Sequence, residues 1–413
     1  MTRRLLSPII LLWALPLAAQ DVPNNHPAIR NALEQIQATN EQTLAQQIAL
    51  CEIPAPPFGE ARRAASFRSL LEAEGLTNIR IDEEGNVIAE RPGTGPGPRV
   101  FLTAHLDTVF PEGTDVTVTR VGTRLSGPGI GDDCRGLATV LAVVRAYRTA
   151  DVRTTGTLVV VGTVGEEGPG NLRGVRHLFD KASAGPIDYF ISVDGVGLGT
   201  TTRAVGSHRY RVTFRGPGGH SYGAFGMPNP IHALGRAIAG LADLPIPPGP
   251  KATYSVGVIT GGTSVNSIAM EASMEVDLRS ESQSSLDRLD ADFQHAVHQA
   301  LTEERARWKG SAVPLEVDVT SIGKRPAGGQ PDTAPIVVTA TRAARALGFT
   351  TELGASSTDA NIAISRGVPA LTVDGGGTGG GAHSVSEWYD DGERGYLGPQ
   401  WVALIVAALL GVR

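Results

Sequence analysis

The feature that most constrains this chain is a set of short, uninterrupted apolar runs, each of which stops at a ligand-type side chain. Residues 158–161 are continuously apolar, the pattern of a strand in a sheet covered on both faces, and the run ends at Gly165-Glu166-Glu167-Gly168. Residues 99–102 lead into Thr103-Ala104-His105-Leu106-Asp107, and residues 189–193 end at Asp194. Helical spacings fill the intervals, at residues 137–147 and 175–179. Strands alternating with helices imply an α/β sandwich, in which ligands gather beyond the strand ends. Strand alternation puts His105 and Asp107 on one side, where a carboxylate that accepts the second ring proton would fix the histidine tautomer.

A chain of 413 residues exceeds one ordinary core, and the pattern changes near Gly206. Residues 208–214 alternate, a helix follows at 229–241, then strands at 252–259 and 270–278, a helix carrying Leu286, Leu289, Phe293, Val297 and Leu301 on one stripe, and a strand at 315–319. Met270, Ala272, Met274, Val276 and Leu278 share one face of the third of these strands. The order strand, helix, strand, strand, helix, strand is ferredoxin-like. The α/β pattern resumes with a helix at 334–347, a strand at 350–353 and a glycine-rich loop, 375–381, closed by Ala382-His383-Ser384. The expected organisation is a catalytic domain in two parts, 21–205 and 323–413, interrupted by a smaller domain at 206–322. Residues 28–50 read as one opening helix.

With 19% charged residues and a net charge of −6, the chain has no basic field for nucleic acid. Arg3 and Arg4, the apolar residues 5–17 and the pair Ala18-Ala19 have the layout of an export leader, residues 1–20, which would place the mature protein in the periplasm or outside the cell. The apolar run is too short and too interrupted by proline for a membrane span, and no cysteine offers a lipid anchor. Cys51 and Cys134 are the only cysteines, which makes no disulfide framework and leaves open whether they pair.

Five places in the α/β part offer metal-type ligands: His105, Asp132, Glu167, Asp194 and His383. Two imidazoles and three carboxylates suit zinc, and also cobalt or manganese. Five ligands are too many for one catalytic ion that must keep an open position, and fit two ions if one carboxylate bridges. Asp132, in the glycine-flanked pair Asp132-Asp133, is the natural bridge. In the pair Glu166-Glu167, one carboxylate can bind metal while its neighbour acts as a general base.

The segments His105-Leu106-Asp107-Thr108, Gly129-Ile130-Gly131-Asp132-Asp133, Gly165-Glu166-Glu167-Gly168, Val193-Asp194-Gly195, Gly219-His220-Ser221, Asp277-Leu278-Arg279 and Ala382-His383-Ser384 together resemble the dinuclear zinc exopeptidase and deacylase family of peptidase T, glutamate carboxypeptidase, acetylornithine deacetylase and succinyl-diaminopimelate desuccinylase. The resemblance spans nearly all of the expected mature chain. It implies a zinc-exopeptidase-like α/β sandwich with a central mixed, mostly parallel sheet, interrupted by a ferredoxin-like α+β domain that serves as lid and dimerisation surface. It further implies one zinc on His105 and Asp194, a second on Glu167 and His383, and Asp132 bridging through a cis Asp132-Asp133 peptide. Asp107 would orient His105, and Glu166 would take a proton from the bridging water and deliver it to the leaving nitrogen. His220 would stabilise the tetrahedral oxyanion, often across a homodimer interface, while Arg279 and Asn266 would grip the substrate's carboxylate or backbone.

The implied activity is cleavage of an amide bond near the end of a small peptide. Aspartate at position 194, rather than glutamate, tilts that expectation toward an aminopeptidase. The alternatives are a carboxypeptidase or N-acyl amino acid deacylase with the same dizinc site, or a non-catalytic peptide-binding protein on the same fold. Two departures stand out. Cys134-Arg135 occupies the place where the family usually has lysine and a small residue, and Ala269-Met270 replaces a common isoleucine-proline pair.

Overall fold

The computed structural model describes residues 21–181, 184–246, 248–308 and 314–413, and the expected leader at 1–20 lies outside the described residues. Its centre is a nine-stranded sheet. In spatial order it runs Thr77–Ile81, Val87–Arg91, Thr157–Thr163, Arg99–His105, Tyr189–Val193, Ala370–Val373, Thr200–Ala204 and Gly328–Gly329, with Leu353–Ser356 also paired to Thr200–Ala204. The four middle strands are parallel to one another, and antiparallel strands flank them. The continuous apolar runs are explained by what lies on either side. Val100, Leu102, Leu158 and Val160 pack with the helices Pro27–Ala38, Cys134–Thr149, Pro335–Ala346 and Leu397–Leu410. Phe101, Val159, Val161 and Phe190 face the other way, onto Arg173–Asp180 and Ala360–Ser365. With both faces dry, neither can be polar.

The inserted unit has a four-stranded antiparallel sheet in the order Ala252–Gly261, Glu271–Ser280, Gly206–Arg215, Glu316–Arg325. In chain order this is 2-3-1-4, the ferredoxin-like arrangement that the alternation of elements predicts. Val212, Phe214, Ala272, Met274, Val276 and Leu278 pack on Leu286, Phe293 and Val297 of the helix Gln283–Arg307. The opposite face carries cross-strand ion pairs, Arg209 with Asp277, Arg211 with Glu275 and Arg215 with Glu271. Such a face can be wet because antiparallel sheets need cover on one side only.

Three details depart from the sequence expectations. The opening helix is two helices, Pro27–Ala38 and Asn40–Cys51; between them the Thr39 hydroxyl donates to Gln35 O at 2.8 Å, a local bond that competes with helix continuation. Met270 is 71% exposed and lies just before the strand Glu271–Ser280 rather than on its core face. The strand Thr200–Ala204 escapes a hydrophobic pattern because its buried positions are Thr200, Thr202 and Ala204.

A separate small sheet joins Thr119–Val121 and Arg124–Ser126, which precede the Asp132 loop, to Trp388–Asp390 and Thr378–Gly380, which flank His383. Asp132 and His383, candidate ligands more than two hundred residues apart, are thereby stitched together by backbone pairing. Among the described residues no helix is long and apolar enough to cross a membrane.

Candidate metal centre

Parallel pairing brings three strand ends level. His105 closes its strand opposite Thr163, and the next strand on that side runs out into Glu166 and Glu167; on the other side Tyr189–Val193 runs out into Asp194. Into the crevice beyond these ends the Asp132 loop and the His383 loop descend from the small sheet. Of the three ligand groups that result, one joins His105 to Glu166 and Glu167, and two interlock, His105 with Asp132 and Asp194, and Asp132 with Glu167 and His383. Asp132 belongs to both. Its Oδ1 lies 2.9 Å from His105 Nε2 and its Oδ2 3.2 Å from His383 Nε2, while His383 Nε2 is 3.1 Å from Glu167 Oε1. Asp194 Oδ1 is 3.9 Å from His105 Nε2.

The backbone around Asp132 follows from its neighbours. The Asp132-Asp133 peptide is cis. Asp133 faces away from the crevice, its Oδ1 accepting Gly136 N as the cap of the helix Cys134–Thr149 and its Oδ2 accepting His105 N, both at 3.0 Å. Gly136 must be glycine, since a Cβ there would stand 2.4 Å from Val193 O as well as against Asp133. From the other side Glu387, almost wholly buried, accepts the amides of Gly129, Gly131 and Asp132 at 2.8 to 2.9 Å. Burial pushes its carboxyl up to about 7 against those bonds.

Asp107 sits under the centre, yet not as its triplet spacing suggests. His105 Nδ1 meets the backbone carbonyl of Asp107 at 2.9 Å, whereas the carboxylate is 3.7 Å away. That carboxylate instead accepts Glu166 N at 3.0 Å and Glu167 N at 2.8 Å. It therefore fixes the turn that carries both glutamates, and the imidazole tautomer is set by a peptide oxygen, which serves equally well as acceptor. Glu166 is 5% exposed, and Arg325 holds it: Nη1 donates to Oε1 at 2.9 Å, and Nη2 donates to its backbone carbonyl. Burial raises the Glu166 carboxyl well above its usual range, the Arg325 charge opposes this, and Glu167 adds to it.

The electrostatics are those of a cation site. Burial would lower His105, but its bond to Asp132 and the charges of Asp133, Asp132 and Asp194 carry it well above its ordinary value. His383 is pushed up to about 10 by its bonds to Asp132 and Glu167. Burial, then the charge of Asp132, raises Asp194 to about 8. Protons here do what cations do better: crowded carboxylates with imidazole nitrogens, arranged as two groups around one shared oxygen pair, fit two divalent ions.

His220, Arg279 and Asn266 are not drawn to this centre. His220 is exposed, and its Nδ1 accepts Tyr222 N and Gly223 N of its own loop. Arg279 bonds Asp277 at 2.6 Å and faces a separate hollow with Val205, Lys251 and Ala355. Asn266 is exposed and accepts from Ser264. Conversely, Glu387, Arg325 and Arg135 carry no local motif. Arg135, fully buried, donates to Gly375 O at 2.7 Å, Gly395 O at 2.8 Å and Gln47 Oε1 at 3.4 Å, and its guanidinium lies 4.8 Å from the centre of the Tyr389 ring. The departure at position 135 is thus a tie on the glycine loop that delivers His383. Cys51 and Cys134 are buried free thiols, Cys51 Sγ donating to Pro128 O at 3.4 Å.

The profile of peptidase family M20/M25/M40 matches residues 101–398. Succinyl-diaminopimelate desuccinylase of Nitrosospira multiformis is 29% identical over 259 residues, covering 58% of this chain and 67% of that protein. The uncharacterised protein YqjE of Bacillus subtilis is 25% identical over 295 residues, covering 70% of this chain and 76% of that one. Among solved structures, the aminopeptidase PepT of Bacillus cereus superposes with a TM-score of 0.70 at 21% identity, covering 92% of this chain and 98% of that chain.

The charge crowding has a measurable consequence. Asp194, ordinarily near 3.8 and about 8 here, keeps its proton in the fold where the unfolded chain has lost it, so ionising it costs stability as pH climbs between those values. His383, ordinarily near 6.5 and about 10 here, contributes stability that is complete below the first value and lost as pH rises through the second. Both effects slope the same way. The melting temperature of chelator-treated protein is expected to fall from about pH 5 to about pH 9, and that of metal-loaded protein to fall less, since cations keep the same oxygens ionised in the fold. A melting temperature that rises over this range in chelated protein would refute this account of the two groups.

Proposed function

Because the chain belongs to peptidase family M20/M25/M40 and is a metal-dependent hydrolase of amide bonds, we propose that its substrate is a small peptide cut at its amino end, with zinc at both metal positions. The observation that carries the proposal is the pair of ligand groups sharing Asp132, with Glu166 tied beside them by Arg325. His105 and Asp194 would hold one ion, Glu167 and His383 the other, and Asp132 both. Bound there, the two cations supply Lewis-acid polarisation of the scissile carbonyl and acidify water.

The remaining work falls to this chain's own groups. Arg325 engages Glu166 Oε1, and among the described residues no side chain donates to Oε2, so that oxygen is the one placed to take a proton from the attacking water. A carboxyl whose burial raises its affinity for protons can then keep that proton and pass it to the leaving nitrogen. The amide bonds from Glu166 and Glu167 to Asp107 keep both glutamates in register during the transfer. Asp194 and the likeness to PepT support the aminopeptidase reading, and the desuccinylase likeness supports a second one, hydrolysis of an N-acylated amino acid.

His220 completes the site in this proposal from a second copy of the chain. Support comes from its exposure and from the open edge strand Ala252–Gly261, where Val258 and Ile259 are exposed. Tyr222 and Phe225, 90% and 77% exposed, belong to the loop that follows His220. An unpaired edge with apolar side chains is a surface that a partner covers.

Replacing Glu166 with Ala is expected to abolish turnover while leaving two metal ions per chain by elemental analysis; retained turnover would sink the proton-transfer role. Hydrolysis of a matched set separates the substrate readings: a free tripeptide, its N-acetylated and C-amidated forms, and the N-acetyl amino acid. Release of the first residue from peptides with a free amino end only is expected, and preference for blocked amino ends would move the assignment to deacylation. Co-expressed Glu166→Ala and His220→Ala chains, each inactive alone, should recover about a quarter of wild-type activity if the histidine crosses a symmetric dimer. No recovery would return His220 to its own protomer.

A further inference from the structure

Where the strand Glu316–Arg325 meets the helices Arg173–Asp180 and Ala360–Ser365, the chain forms a pocket of about 290 Å³ whose wall includes Arg176, His208, Lys324, Arg325, Ser365 and Arg366. Four of these six carry a fixed positive charge. Two have carboxylate partners elsewhere, Arg325 on Glu166 at 2.9 Å and Arg366 on Asp180 at 2.5 Å. Arg176 donates to the backbone carbonyls of Asn171 and Lys324, and neither it nor Lys324 has an ion-paired carboxylate among the described residues. Burial lowers the basicity of Arg176, and Arg325 and Arg366 lower it further against the pull of Asp180.

Two buried polar atoms on residues of this wall have no hydrogen-bond partner among the described residues. His208 is 1% exposed; its Nδ1 lies 3.0 Å from Asp290 Oδ2, and its Nε2 is unmatched. Arg325, 4% exposed, leaves its Nε unmatched while both terminal nitrogens face Glu166. Orphaned buried polar atoms are rare and call for an explanation.

We propose that this pocket binds a small oxyanion with two negative charges, of the phosphate or short dicarboxylate kind. Two cations without a carboxylate match a dianion, and guanidinium forks suit planar or tetrahedral oxygens. The volume lies at the lower end of ligand pockets, about 300 to 1,000 Å³, which restricts the occupant to a few heavy atoms. Asp290, Asp180 and Glu166 each already have a basic partner, and buried Asp359, which feels the Arg325 charge, accepts from the Thr163 hydroxyl. The site is separate from the metal centre but shares Arg325 with it, so the anion would sit one side chain from Glu166.

The test is calorimetric titration of metal-loaded, full-length protein with inorganic phosphate and, separately, with malonate, for the wild type and for the double variant Lys324→Gln, Arg366→Gln. Both replaced residues are solvent-exposed and outside the hydrolytic site, so peptide hydrolysis in anion-free buffer should be unchanged. Saturable binding of either anion that weakens roughly tenfold or more in the variant supports the site, and the tighter of the two names its source. No binding to wild type by either anion overturns it. Equal affinity in wild type and variant also overturns it, because the anion then sits on the metals.

Discussion

Everything in this structure answers to one electrostatic demand: Asp132, Glu166, Glu167 and Asp194 must be kept together in a buried crevice at the ends of parallel strands. Side-chain cations at the ligand positions themselves would compete with metal, so the fold does most of the holding with backbone amides. Asp107 accepts the amides of Glu166 and Glu167, Asp133 those of His105 and Gly136, and Glu387 those of Gly129, Gly131 and Asp132. Three carboxylates outside the candidate ligand groups thus fix the backbone of three segments that carry them. A charge-assisted bond to an amide is strong and directional, and it leaves the ligand oxygens facing the crevice.

Arginines do the longer-range part of this work, away from the ligand atoms. Arg135 ties the helix that follows Asp132 to the glycine loop that carries His383, binding two loop carbonyls from a site with no solvent. Its planar fork can serve two carbonyls and a glutamine at once, which a single ammonium could not do with the same geometry. Arg325 plays the corresponding part for Glu166, and it comes from the last residue of the inserted sheet. The orientation of the general-base candidate is therefore referred to the inserted unit as well as to the central sheet. A change in how the two meet would reach Glu166 through Arg325.

How much of this was legible in the sequence divides along physical lines. The two-sided central sheet could be read because burial on both faces leaves no room for polar residues, as residues 158–161 show. The order of the inserted sheet could be read from alternation at Ala272, Met274, Val276 and Leu278, which the core confirms. His105, Asp132, Glu167, Asp194 and His383 could be picked out because strand ends and glycine loops mark where ligands gather, and the structure brings these five together. Asp107 was legible as a residue but not in its bonds: the triplet spacing pointed its carboxylate at the imidazole, and the tighter claim came from two amides sixty residues away.

What stayed hidden had long reach and no local pattern. Glu387 acts on a loop more than two hundred and fifty residues earlier, and Arg325 on a turn about a hundred and sixty residues earlier. In sequence each is one charged residue among many, and only strand pairing makes it a neighbour. Position 135 shows the converse. Against a family pattern it reads as a departure that unsettles local electrostatics, yet in place it is a buried structural cation whose hydrogen bonds end on carbonyls and on Gln47. It faces Tyr389 and the glycine loop rather than the crevice, so the substitution changes how the His383 loop is anchored and leaves the donor set intact.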